Sequence, residues 1–174
     1  MPWSAESAAQ SGCTETDLLA IWEEAFAEAG ERGRAAYAAA DDWCSGIRAA
    51  GWAYCRFFEE EPLRARFIVE LSLGCERVRA LHNLSLERLA DVFHRGRLER
   101  DRGPDCTRLV AEAVVGASWE QLCGLTMRKE LDRLPSLVPE LMYLAVLPYL
   151  GEAAARAELD RGPADLERYR RGEI

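Results

Sequence analysis

The stretch from Ser136 to Leu150 constrains this chain more than any other. Read as a helix, it carries Leu137, Val138, Leu141, Met142, Leu144, Ala145, Leu147, Tyr149 and Leu150, which point in almost every direction around the axis. A helix that is apolar all round must be covered all round. Either it runs through the middle of a bundle, or a second subunit covers its far side. The second arrangement is favoured: a terminal helix in a small domain rarely finds enough neighbours of its own, and a twofold dimer closes through one self-complementary patch. Pro139 is tolerable if it falls in the first turn of this helix.

The rest of the chain repeats the helical period. Thr14-x-x-Asp17 has the spacing of a capping box. After it, Leu18, Trp22, Ala25, Phe26 and Ala29 make one stripe, with Glu23, Glu24, Glu28 and Glu31 opposite. Gly30 and Gly33 are expected to weaken this helix before Arg34 to Ala40 resumes it. Asp41 or Asp42 can cap a second helix, in which Cys44, Ile47, Gly51, Tyr54, Cys55 and Phe58 recur at steps of three and four. Trp43, Trp52 and Phe57 widen that stripe, so the helix reads as central. Pro62 ends it. Leu63 to Cys75 reads as a short third helix and Val78 to Phe93 as a longer fourth, finishing near Gly96. Arg97 to Asp105 reads as a loop, Thr107 to Arg128 as the fifth helix and Ser136 to Leu150 as the sixth. There is no alternating run and no hairpin dipeptide, so the expected class is all-α, an antiparallel helical bundle. Residues 1–16 read as irregular or disordered, 17–151 as the folded domain, and 152–174 as a polar C-terminal tail, a short helix followed by a frayed end.

Charge and reactive side chains narrow the function. At 174 residues the chain is one domain, with a formal net charge of −8. Through Asp42 there are nine acids against Arg32 and Arg34, so nearly the whole imbalance lies there. No basic face is left for DNA phosphates, and direct nucleic-acid binding by this chain alone is not expected. No apolar run reaches the length of a membrane span, and Met1 to Gln10 has no export signal, so the expectation is a cytoplasmic protein with no membrane partner. The six cysteines, Cys13, Cys44, Cys55, Cys75, Cys106 and Cys123, form no C-x-x-C pair and read mostly as small core hydrophobes. Cys106, near Arg108, is the one mild candidate for a reactive thiol. Asp91-x-x-His94 is half of a di-iron motif whose second half is missing. No metal, cofactor or catalytic residue is assigned.

Three segments carry a resemblance. They are Phe57-Phe58-Glu59-Glu60-Glu61-Pro62-Leu63-Arg64-Ala65-Arg66-Phe67-Ile68-Val69-Glu70, then Ala111-Glu112-Ala113-Val114-Val115-Gly116-Ala117, then Leu137-Val138-Pro139-Glu140-Leu141-Met142-Tyr143-Leu144-Ala145-Val146-Leu147-Pro148-Tyr149-Leu150-Gly151. In this order they resemble the C-terminal regulatory domain of TetR-type (TetR/AcrR) transcriptional regulators, over about Leu18 to Gly151. The resemblance implies a ligand-binding and dimerisation domain whose last two long helices pair with their copies as a four-helix bundle. The dimer face then falls to Val114, Gly116, Ala117, Leu137, Leu141, Leu144, Ala145, Pro148 and Tyr149. Family members begin with a basic three-helix DNA-binding unit, which has no counterpart here, while Trp22 to Tyr37 resembles the helix that normally follows it. The chain therefore reads as the regulatory part alone.

A pocket for a small apolar or aromatic effector is expected among the helices bearing Trp52, Phe67 and Phe93. Its candidate apolar liners are Trp52, Cys55, Phe67, Leu71, Leu89, Phe93, Trp119 and Cys123; its candidate polar groups are Arg48, Glu70, His82 and Gln121. Ordinary core packing is the competing reading for each apolar one, a salt bridge to Arg66 for Glu70, and the dimer face for Trp119. The leading expectation is an effector-sensing homodimer. The alternatives are an adaptor or an inactivating partner of a full-length relative, and, with little support, a helical metal- or Cys-dependent enzyme.

Overall fold

The computed structural model describes residues 14–99 and 106–174. Its elements are α1 (Glu15–Ala38), α2 (Trp43–Glu60), α3 (Pro62–Gly74), α4 (Glu76–His94), a 3₁₀ turn (Arg95–Glu99), α5 (Arg108–Arg128), a second 3₁₀ turn (Leu131–Arg133), α6 (Leu134–Leu150) and α7 (Glu152–Arg170). No strand occurs among the described residues, and the all-α expectation holds. None of these helices is long and apolar enough to cross a membrane.

The N-terminal segment expected to be irregular lies outside the described residues up to position 13; from there the chain is ordered by its cap. The Thr14 hydroxyl accepts from the Asp17 amide at 3.2 Å, and the Asp17 carboxylate accepts from the Thr14 amide at 2.9 Å. This reciprocal pair starts α1 at Glu15. Asp42 does the same for α2, its Oδ1 accepting from the Ser45 amide at 2.8 Å. Pro62 stands at the start of α3, where its missing N–H costs nothing.

Helices α1 and α2 form an antiparallel hairpin, and their glycines explain why α1 is unbroken. A Cβ at Gly33 would lie 2.7 Å from the Tyr54 ring, and one at Gly46 would lie 2.8 Å from the Tyr37 ring. Each glycine is a flat spot that receives the other helix's tyrosine. The sequence pattern marked Gly33 as a weakness; tertiary packing makes it a contact.

The apolar stripe of α1 buries Trp22, Ala25 and Ala29. Trp22 Nε1–H donates to Ser72 Oγ at 3.2 Å, joining α1 to α3. The acidic face of α1 is partly spent inside the molecule. Glu28 takes Arg32 from its own helix and Arg64 from α3, and these arginines hold its carboxyl below the usual range. The central role expected of α2 is met: it packs on α1, α3, α6 and both 3₁₀ turns.

The expectation for α6 changes most. The helix begins at Leu134, so Pro139 lies in its second turn, and Pro148 is also inside it. Leu134, Val138, Met142, Ala145, Val146 and Tyr149 are all buried, against α2, α5 and α7 of the same chain. Much of the cover that was expected from a second subunit comes from α7. The segment 152–174, expected to be a short helix and a frayed tail, is a 19-residue helix packed along α6. Gly162 allows the closest approach, since a Cβ there would lie 2.6 Å from the Pro139 ring. Tyr169, near the end of α7, stacks on Trp52 with ring centres 5.0 Å apart and donates its hydroxyl proton to Glu59. Arg56 lies over the same ring and donates to the Tyr169 carbonyl at 2.9 Å.

Candidate functional site

A cavity of about 500 Å³ lies inside the bundle. It opens to solvent on one side and is far larger than the space of a single water molecule. Five helices make its wall. The second half of α1 contributes Phe26, Gly30, Gly33 and Tyr37, and α2 contributes Ile47, Gly51, Tyr54 and Cys55. Leu89 and Phe93 come from α4, Trp119 and Leu122 from α5, and Val138, Met142 and Ala145 from α6. The glycines of α1 and α2 matter twice: they bring the two helices together, and they leave the wall without side chains at Gly30 and Gly51.

The wall is apolar and strongly aromatic. Its few polar groups are mostly satisfied or uncharged: the Ser118 hydroxyl donates to the Val114 carbonyl at 2.9 Å, and burial pushes the Cys55 thiol well up, keeping it protonated. The charged lining residues are Arg34 and Arg95, both solvent-exposed.

Of the residues expected at a pocket, Cys55, Leu89, Phe93 and Trp119 are in the wall. Trp52, Phe67, Leu71 and Cys123 are buried core side chains away from it. Arg48 grips Glu158 on α7, Glu70 pairs with Arg66, and Gln121 is exposed. His82 is buried behind the wall, against the rings of Trp22, Phe26 and Trp119, the last at 4.0 Å between centres. Burial lowers its pKa to about 4, so the ring is neutral at physiological pH. The α1 and α6 liners were missed. The signal for α1 was present in its glycines, which lie on the same side as Phe26 and Tyr37. The signal for α6 was read as a partner-facing stripe instead.

The residues expected at a dimer face divide in the same way. Val114, Ala145 and Tyr149 are buried within the chain, Leu141 and Ala145 line the cavity, and Leu137 and Pro148 are half-buried. Gly116, Ala117 and Leu144 are exposed, and so are Leu109 and Leu147 on the same two helices. A Cβ at Gly116 would meet open space.

The reactive side chains do not assemble. Asp91 pairs with Arg108 at 3.1 Å, while His94 Nε2 lies 3.0 Å from Arg97. Among the described residues no three His, Cys, Asp or Glu side chains stand together as a metal site. Cys106 donates to the Pro148 carbonyl at 2.9 Å rather than meeting Arg108. Burial pushes the Cys44 and Cys123 thiols up to about 11, Glu158 adding to the effect at Cys44. These thiols are protonated at neutral pH and weak as nucleophiles. Cys13 lies outside the described residues.

The chain matches no protein-family model, and comparison with curated proteins and with solved structures returns no significant match.

Proposed function

We propose that this chain is an effector-sensing, homodimerising regulatory domain of the kind found in TetR-type regulators. The observation that carries the reading is the cavity of about 500 Å³ with its aromatic wall. A small-molecule site is concave, mostly apolar and marked by few polar groups, and this cavity has each of those properties. Its position also supports a sensing role. It lies between α1 and α4, which meet through the rings of Phe26 and His82. A molecule entering there binds one separation of α1 and α4 better than another, and so shifts the population between them. The outward sides of α5 and α6 expose Leu109, Gly116, Ala117, Leu144 and Leu147, apolar or small residues that a twofold dimer would cover.

Titration with N-phenyl-1-naphthylamine, a neutral apolar dye, tests the cavity. Saturable one-to-one binding that quenches tryptophan fluorescence is expected, and Gly51→Leu, which fills the space, abolishes it. Failure to saturate, or binding untouched by Gly51→Leu, overturns the reading. Light scattering on the eluting protein tests the dimer: twice the chain mass is expected, falling to a monomer in Gly116→Arg with the fold intact. A monomeric wild-type chain overturns that part.

A further inference from the structure

The charged residues described in the cavity wall are of one sign, and this bears on the class of its ligand. Among its described lining residues Arg34 and Arg95 are cationic and none is acidic. Arg34 stands one turn before the end of α1, and Arg95 caps the C-terminus of α4. The start of α2, just after the α1 turn, packs against the end of α4 at one corner of the bundle. There Trp43, which opens α2 directly after the turn from α1, donates its indole N–H to the Val92 carbonyl of α4 at 3.0 Å. Trp43 also fills the space that a Cβ at Gly96 would need, at 2.3 Å. Both arginines are solvent-exposed although they line the cavity, so they mark where it reaches water.

The two guanidinium groups are not equivalent. Arg34 is paired with Glu31 at the surface. Arg95 has no ion-pair partner among the described residues. No described carboxylate balances its charge at the rim of the aromatic cavity.

We propose that the ligand is an amphipathic molecule with an apolar body and a single anionic head, the body inside the cavity and the head held at its mouth by Arg95. The proposal rests on the cavity being a ligand site, as argued above, and adds the chemical class. An aromatic cage alone suits an organic cation through its ring faces. Arg95, with no carboxylate among the described wall residues, makes that arrangement repulsive. A neutral apolar ligand leaves the rim charge unused. A carboxylate matches the planar fork of a guanidinium with two parallel hydrogen bonds. An apolar body that ends in a carboxylate therefore satisfies wall and rim together.

The test uses the full chain and three twelve-carbon probes: laurate and dodecyltrimethylammonium below their micelle concentrations, and dodecanol below its solubility limit. Binding is read from tryptophan fluorescence. At neutral pH, laurate is expected to bind about tenfold tighter than dodecanol, the size of one charge-assisted hydrogen bond at an exposed rim, with the ammonium weakest. Arg95→Gln removes the difference between laurate and dodecanol and leaves dodecanol within about twofold of wild type; Arg95→Lys keeps part of it. Arg34→Gln gives a smaller loss. Because Arg95 is exposed, these variants keep the fold, which circular dichroism verifies. Equal binding of laurate and dodecanol, or a preference for the ammonium, overturns the anionic class and leaves the cavity reading standing. No saturable binding by any of the three overturns both.

Discussion

Arg48 on α2 and Glu158 on α7 form a two-pronged ion pair, Nε to Oε2 at 2.7 Å and an Nη to Oε1 at 2.8 Å. Glu158 is 5% exposed and Arg48 15%. Most of the other ion pairs lie at the surface, where such pairs contribute little. This one fastens the last helix to the central one. It also shows why 152–174 reads from sequence as only a short helix and a frayed tail: its Glu158 anchor is charged and finds its partner 110 positions away.

Removing Arg48 leaves the buried Glu158 carboxylate without its two-pronged partner, with only the more distant Arg161 at 4.0 Å. Arg48→Ala is expected to lower the unfolding free energy by about 3 kcal/mol. The double variant Arg48→Met with Glu158→Met recovers most of that, because no charge is then stranded. Urea unfolding of the two single variants and the double one checks this. A double variant as unstable as Arg48→Ala refutes the account.

His82 makes stability depend on pH. Burial holds it neutral, with a folded-state pKa of about 4 against 6.5 for the free side chain. Between those values the unfolded chain binds a proton that the folded one does not. The stabilising contribution is therefore complete above pH 6.5 and shrinks as the pH falls toward 4, by up to about 1.4 kcal/mol per pH unit. Melting curves across this window should show wild type losing stability relative to His82→Phe as the pH drops. A constant gap between them rules the effect out.

Two glycines on helices should respond with opposite sign. At Gly162 a methyl group would lie 2.6 Å from the rigid ring of Pro139, so Gly162→Ala pries α7 away from α6. A loss of about 2 kcal/mol is expected there even after the gain in helix propensity. At Gly51 a methyl group meets only Val138 Cγ1 at 3.7 Å, on the cavity side. Gly51→Ala is expected to raise stability by about 0.7 kcal/mol. Thermal melts in one buffer compare the pair.

Helix α5 ends on Lys129 in the left-handed region, at φ 62°. Glu130 N–H then reaches back to the Leu125 carbonyl at 2.9 Å, closing the helix end. A side chain pays for this conformation, whereas glycine adopts it freely. Lys129→Gly is expected to raise the unfolding free energy by about 1 kcal/mol. A lower melting temperature in that variant contradicts the argument.

The cavity was partly legible before the fold was known. Cys55, Leu89, Phe93 and Trp119 stood on apolar stripes of helices expected to enclose a ligand, and they line it. Trp52 and Phe67 stood on equally good stripes and are ordinary core. Periodicity finds the inward face of a helix, but it does not distinguish the part of that face that meets another side chain from the part that meets a space. That distinction depends on where five helices come together, and above all on Gly33 and Gly46, which set how closely α1 and α2 approach.

Local pattern was enough for the fold class and most helix boundaries. A 3.6-residue period, the Thr14 and Asp42 caps and Pro62 are local facts, and local hydrogen bonding decides them. Only the tertiary structure decided what covers α6. Its residues are apolar in every direction, and apolarity is a demand for burial that names no partner. The answer lay in the stripe of Ala155, Glu158, Gly162 and Tyr169 on a helix whose composition reads as a solvated tail. One of these residues is small, one is absent as a side chain, one is an acid neutralised by Arg48, and one is held by Trp52, Arg56 and Glu59. None of them is apolar enough to announce a core helix alone. Each becomes a core residue only beside the partner that the fold supplies.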